Sequence, residues 1–380
     1  MTRSHPPSRR RFLAATASAA ALAVGRSAPA QDGLIVRSRR PLDAETPVTA
    51  FTDYLTPNAR FFIRSHLGVP RVVGVPWRVD VGGLVKSARA FSLDDLARLP
   101  ERSVTAVLQC AGNGRSYFKP NIPGVGWERG AVGNAEWSGV RLRDLLEAAG
   151  IQPEAKQVHF LGADLPPHPK TPVFLRSVPI EQAMRDEVLL ATRMNGQPLP
   201  IAQGGPLRLI VPGWCGNHWM KWVRRITPAL ELADGFYQQT AYRIAKVPVA
   251  PGSEIAPDNL DYVTTLNVKS LIASPAEGAV LTVGRQVIQG VAWTGPGRVT
   301  KVEVAIGEGP WKNAEFVGPD REFAWRTWRL LWDFDQPGTY TIKARATDSN
   351  GETQPEATPW NRSGYLWNGI DHVSCKVKMS

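Results

Sequence analysis

The segment RIAKVPVAPGSEIAPDNLD, residues 243–261, constrains the chain more than any other. Pro248, Pro251 and Pro257 interrupt every regular period there, and helices and strands end at such clusters. A chain of 380 residues is also too long for one ordinary domain. The stretch therefore reads as a boundary, with the linker at residues 251–261, and the two sides differ in pattern.

Before it, residues 31–250 mix short helices and strands. WRVDVGG (Trp77–Gly83) alternates like a strand entering a glycine turn. SLDDLARLP (Ser92–Pro100) offers a serine N-cap, two acids in the first turn and a proline stop. GVRLRDLLEAAG (Gly139–Gly150) and IEQAMRDEVLLATRM (Ile180–Met194) read as helices, and PLRLIVPG (Pro206–Gly213) as a buried strand. There is no βαβ rhythm and no GxGxxG, so a dinucleotide-binding fold is not expected. After the boundary, VTKVEVAIG points Val302, Val304 and Ile306 to one face. GTYTIKARATD does the same with Tyr340, Ile342, Ala344 and Ala346. Short alternating strands predict an immunoglobulin-like sandwich over 262–380. Seven of the thirteen tryptophans lie between Trp293 and Trp367, and Trp325, Trp328 and Trp332 are expected in its core. The fold class is thus α+β: a mixed α/β domain followed by an all-β sandwich.

The N-terminus carries Ser8-Arg9-Arg10-Arg11-Phe12-Leu13, an apolar stretch to Val24 and a small-residue site at Ala28-Pro29-Ala30. This predicts a twin-arginine export signal over 1–30, hence a periplasmic protein exported already folded, without a membrane anchor. The formal charge of +11 loses five arginines with that leader, leaving +6. Such a balance suits an anionic small substrate or an acidic partner, and no dense Lys/Arg run points to nucleic acid.

Three cysteines, Cys110, Cys215 and Cys375, are an odd number for an oxidising compartment. Cys110 ends the hydrophobic run of VLQCAGNGRS, against a glycine turn and Arg115. A thiol there is a nucleophile, a soft metal ligand or an inert core residue, and spacing alone does not choose. Arg64 and His66 follow an aromatic run in RFFIRSHLGVP. Arg208, His218 and Lys221 surround two glycine-rich turns in GGPLRLIVPGWCGNHWMKWVRR. Backbone N–H groups in such turns and nearby guanidinium forks suit a phosphate-bearing cofactor.

Taken together, FFIRSHLGVP, LQCAGNGRS, SGVRLRDLL, EVLLATRMNGQPLP, LRLIVPGWCG, MKWVRRI, QQTAY and WNRSGYLWNGIDHVSCKV resemble the sulfite oxidase family of molybdenum enzymes. The resemblance covers nearly the whole chain after the leader. It implies a molybdopterin cofactor whose metal Cys110 ligates, and a substrate pocket lined by Arg64, Arg115 and Tyr242. It also implies that Phe62, Ile63, Arg64, Ser65, His66, Asp164, Gln203, Arg208, Trp219, Met220 and Lys221 hold the pterin and its phosphate. The expected reaction is oxidation of sulfite to sulfate, with no haem, an external c-type cytochrome as acceptor and a homodimer through the C-terminal domain. Two positions depart from the pattern: Gln203 replaces a pterin-binding histidine, and Gly114 stands where a second arginine is common. The alternatives are a sulfoxide reductase of the same superfamily and a non-catalytic exported binding protein.

Overall fold

Strand Val132–Arg141 is the spine of the N-terminal half, buried along almost its whole length. It pairs antiparallel with Glu101–Gln109 on one side and Leu189–Met194 on the other. Arg208–Ile210 adds to the far side of Leu189–Met194. A second sheet runs in the order Arg89–Ser92, Arg78–Val81, Val223–Ala229, Gln157–Gly162, Leu175–Pro179. The computed structural model describes residues 33–379, so the predicted leader over 1–30 lies outside the described residues. Among those residues the longest α-helix is Leu142–Ala148, and none is long and apolar enough to cross a membrane.

Ser92 caps Leu93–Leu96 as its sequence requires: its hydroxyl accepts from the Asp95 N–H while the Asp95 carboxylate accepts from the Ser92 N–H. Two helix expectations need correction. Gly139–Arg141 belongs to the spine strand, and the helix begins only at Leu142. Of Ile180–Met194, only Ile180–Ala183 is helical, and Leu189–Met194 is a strand. Its apolar run fills the slot between Val132–Arg141 and Arg208–Ile210, and the two ladders of hydrogen bonds outweigh helix propensity.

The predicted linker is also tied at its ends. Arg243–Ala245 pairs antiparallel with Leu260–Tyr262, so the proline-rich stretch is an excursion from a two-stranded ladder, not a free tether.

Beyond it lies the sandwich. One sheet is ordered Lys269–Ser274, Gly284–Trp293, Arg326–Phe334, Glu315–Val317; the other Ala279–Thr282, Asp371–Lys378, Gly338–Asp348, Val299–Ile306, Lys312–Asn313. Val302, Val304, Ile342, Ala344, Ala346 and Trp328 fill the space between them. Trp332 faces the same core but is only half-buried, at the end of its strand, with Lys312 over its ring. Trp325 and Trp293 belong to the other core. Trp325 packs edge-on against Phe51 and donates to the Tyr54 carbonyl at 2.7 Å. Trp293 donates to Gln109 Oε1 at 2.7 Å, one residue before Cys110. The sandwich is thereby joined to the strand that delivers the thiol.

Candidate active site

Cys110 leaves the end of Glu101–Gln109 in a tight turn. Its N–H donates to the Ala131 carbonyl and its own carbonyl accepts from Asn113 N–H, both at 2.9 Å. The fully buried Asn113 side chain accepts from Ala131 N–H and staples the turn to the neighbouring strand. The thiol opens into a cavity with about 560 Å³ of empty space, part of it open to solvent. Phe62, Arg64, His66, Asp164, Arg208, Trp219, Met220, Lys221 and Tyr242 line the same cavity, as the resemblance implies.

Each side chain is placed by an identifiable contact. Phe61 and Phe62 are buried anchors, and Ile63 bridges to Ala44 through paired backbone hydrogen bonds. Ile63 is therefore backbone scaffold and does not line the cavity. Arg64 Nη1 donates to the buried carboxylate of Asp43 at 3.0 Å and to the Ser65 carbonyl at 2.8 Å, leaving the rest of the guanidinium to the cavity. Ser65 acts from behind: its hydroxyl accepts from Lys221 Nζ at 2.8 Å. His66 Nε2 lies 2.5 Å from the Tyr242 hydroxyl, and its ring stacks on Phe174. Burial and the surrounding cations hold His66 well below its ordinary pKa, so its imidazole is neutral. Burial pushes the Tyr242 phenol up, keeping it protonated and able to donate.

Arg208 and Lys221, which line the cavity, and Arg176, beside the Tyr242 ring, form no ion pair among the described residues, although the Asp164 and Asp43 carboxylates act on Lys221 through space. Arg208 is buried, donates to the Gln203 carbonyl, and leaves Nε without a partner. Burial alone lowers its pKa to about 9. Lys221 donates only to Ser65 Oγ and the Ala202 carbonyl, and burial together with Arg208 holds it well below its ordinary pKa. Arg176, fully buried, donates to the Tyr237 carbonyl and to His218, with no carboxylate in reach among the described residues. Buried cations without counter-ions are costly, and an anionic ligand removes the cost. Asp164, pushed up to about 6 by burial, is the one acid lining the cavity. An anionic, phosphate-bearing cofactor fits this set of donors.

Gln203 is buried and donates to the Phe61 carbonyl at 3.0 Å, with its Oε1 unpartnered. It braces the Phe61–Phe62 anchor rather than lining the cavity. Arg115 is not among the residues lining the cavity: its Nε donates to the Ser363 carbonyl and Nη1 to the Val125 carbonyl, both at 3.1 Å. Nη2 stays uncommitted beside Gly112, and the Arg115 charge still acts on Cys110 and His66. Phe174, Asn217 and Trp222 line the cavity without having been singled out in the sequence. Phe174 alone had a local signal, as an aromatic beside the proline-rich loop after Asp164.

Gly114 has a structural reason. Its φ is +91°, and a Cβ there would sit 2.8 Å from the Trp367 ring. The space that a side chain at 114 would need is filled by an aromatic from the C-terminal segment. Gly114→Ala is expected to destabilise the chain by about 1–3 kcal/mol, read from urea unfolding. Unchanged stability would contradict this packing.

All three cysteines are free. Among the described residues no three His, Cys, Asp or Glu side chains converge on a metal position. A metal at Cys110 would thus need its other donors from a bound organic group.

Residues 66–237 match the model for the oxidoreductase molybdopterin binding domain, and residues 261–378 match the Mo-co oxidoreductase dimerisation domain. The mouse mitochondrial sulfite oxidase is 35% identical over 359 residues, covering 90% of this chain. The chain spans 66% of that relative's own length. The Arabidopsis thaliana sulfite oxidase is 32% identical, covering 89% of this chain and 92% of the relative. Among solved structures, the sulfane dehydrogenase SoxCD from Paracoccus pantotrophus superposes with a TM-score of 0.75 at 29% identity, over 93% of this chain and 88% of that one. With both domains matched and a plant relative aligned over nearly its full length, the chain belongs to the sulfite oxidase family of molybdopterin-binding oxidoreductases.

Proposed function

We propose that this protein oxidises sulfite to sulfate at a molybdenum–molybdopterin centre ligated by Cys110. The observation that carries the reading is the thiol of Cys110 and the guanidinium of Arg64 opening into one cavity that Arg208 and Lys221, neither in an ion pair among the described residues, also line. The similarity to sulfite oxidases from animals and a plant supports it.

When bound, the cofactor supplies a two-electron redox centre that exchanges oxygen with water. The chain supplies binding and field. Cys110 would hold the metal as a thiolate, giving up the proton that burial favours on the free thiol and Arg64 opposes. Arg208 and Lys221 would hold the cofactor's phosphate. Arg64 binds the substrate oxyanion, preoriented by its ion pair to Asp43. Tyr242 donates its phenolic hydrogen to a substrate oxygen, while neutral His66, as its Nε2–H tautomer, donates to the phenol oxygen. Sulfite and water together yield sulfate, two electrons and two protons. The electrons pass to an external c-type cytochrome. The working form is a periplasmic homodimer, supported by the match to a dimerisation domain and the twin-arginine pattern.

A second reading has one observation in its favour, the superposition on a sulfane dehydrogenase. A side-by-side assay decides. Purified holoenzyme with cytochrome c is expected to turn over sulfite faster than a protein-bound sulfane or, in reverse with a reduced dye, a sulfoxide. Preference for either of the latter overturns the sulfite assignment, and purified protein without molybdenum overturns the enzyme reading altogether.

A further inference from the structure

Tyr242 is held in a conformation that tyrosine rarely adopts. Its φ is +55°, in the left-handed region, at a residue that lines the cavity. A non-glycine residue there is strained and persists only where its surroundings over-determine it. The surroundings are visible on each side of its ring. The Arg176 guanidinium lies 5.4 Å from the ring centroid, and Tyr365 stacks on it at 5.1 Å with the planes only 13° apart.

Tyr365 comes from the other half of the chain, in the return segment before strand Asp371–Lys378. Three contacts clamp that segment onto the Cys110 turn. Leu366 N–H donates to the Ala111 carbonyl at 2.8 Å. The Ser363 carbonyl accepts from Arg115 Nε. The Trp367 ring fills the space over Gly114. From the sandwich side, Asn267 Nδ2 donates to the Leu366 carbonyl at 3.2 Å. Leu366 itself has φ +58°. One of the two stacked rings, and the residue next to the other, thus have positive φ.

We propose that Tyr365 is a positioning residue: clamped by residues 363–367, it holds Tyr242 in its strained conformation with the phenol against His66 and the cavity. Arg115 then has a further role, anchoring the clamp through Ser363. This rests on the assignment of Tyr242 to the substrate end of the site.

The test compares Tyr365→Phe and Tyr365→Ala in the full chain. In a crystal structure of Tyr365→Ala, Tyr242 is expected to leave positive φ and lose its contact with His66, while in Tyr365→Phe both persist. This readout is independent of which substrate the enzyme takes. In sulfite turnover, Tyr365→Ala is expected to lower kcat and kcat/KM together by about tenfold, the loss of one transition-state interaction. Molybdenum content should stay at the wild-type level and Tyr365→Phe within about twofold. Tyr242 unmoved in the alanine variant overturns the proposal, as does failure of phenylalanine to rescue the structure. Absent sulfite turnover in the wild type, with the structural shift present, overturns the substrate reading and leaves the positioning role standing.

Discussion

Cys110→Ser is expected to abolish sulfite-dependent cytochrome reduction while leaving the fold and the anion-holding end of the cavity intact. Residues that merely support a metal ligand typically change activity roughly 10–100-fold when replaced, so loss of the ligand itself should exceed that range. Serine is close to isosteric, and the turn around position 110 is held by backbone bonds to Ala131 and Asn113 that serine retains. Folding cost is therefore small, and the variant should unfold at nearly the wild-type denaturant concentration. Arg208 and Lys221 are untouched, so pterin should still copurify. A variant that turns over sulfite normally would remove Cys110 from the reaction. One that loses pterin along with activity would mean that the thiol, not the cation cluster, retains the cofactor.

Arg64→Gln carries the second largest effect, and it has two parts. Loss of charge-assisted hydrogen bonds to a substrate oxyanion costs about 1.5–3 kcal/mol, or roughly 10–150-fold in KM. The substitution also strands Asp43, which is 1% exposed and paired with Arg64 Nη1 at 3.0 Å. Breaking a buried pair from one side costs about 3–5 kcal/mol, lessened here because Arg64 itself is partly exposed. Through that ion pair, Arg64→Gln lowers stability as well as affinity. Arg64→Gln combined with Asp43→Asn isolates the binding term: stability should recover substantially while KM remains high. Recovery of KM in the double variant would contradict the oxyanion role. Arg115→Gln is expected to act differently, loosening the C-terminal clamp and lowering kcat more than it raises KM.

How much of this was legible depended on the range of the signal. Strands Val299–Ile306 and Gly338–Asp348 bury the very faces their alternation marks, and Ser92 with Asp95 forms the cap its spacing predicts. Those signals are local. Leu189–Met194 was misread as helix because its strand character comes from neighbours about fifty residues away on one side and fifteen to twenty on the other, which no local window contains. The site was legible through motif resemblance for the residues that face the cavity. The resemblance carried no information on what braces them. Ser65 under Lys221, Gln203 against Phe61 and Tyr365 against Tyr242 are contacts across more than a hundred residues, invisible to spacing. Gly114 was a departure from the pattern in the sequence, and only the placement of Trp367 gives it a cause.

The central claim is a bond between the sulfur of Cys110 and molybdenum. X-ray absorption at the molybdenum edge, on wild type and Cys110→Ser purified in the same way, tests it most directly. The account predicts one sulfur neighbour fewer around the metal in the variant. An identical sulfur shell in both proteins would contradict it.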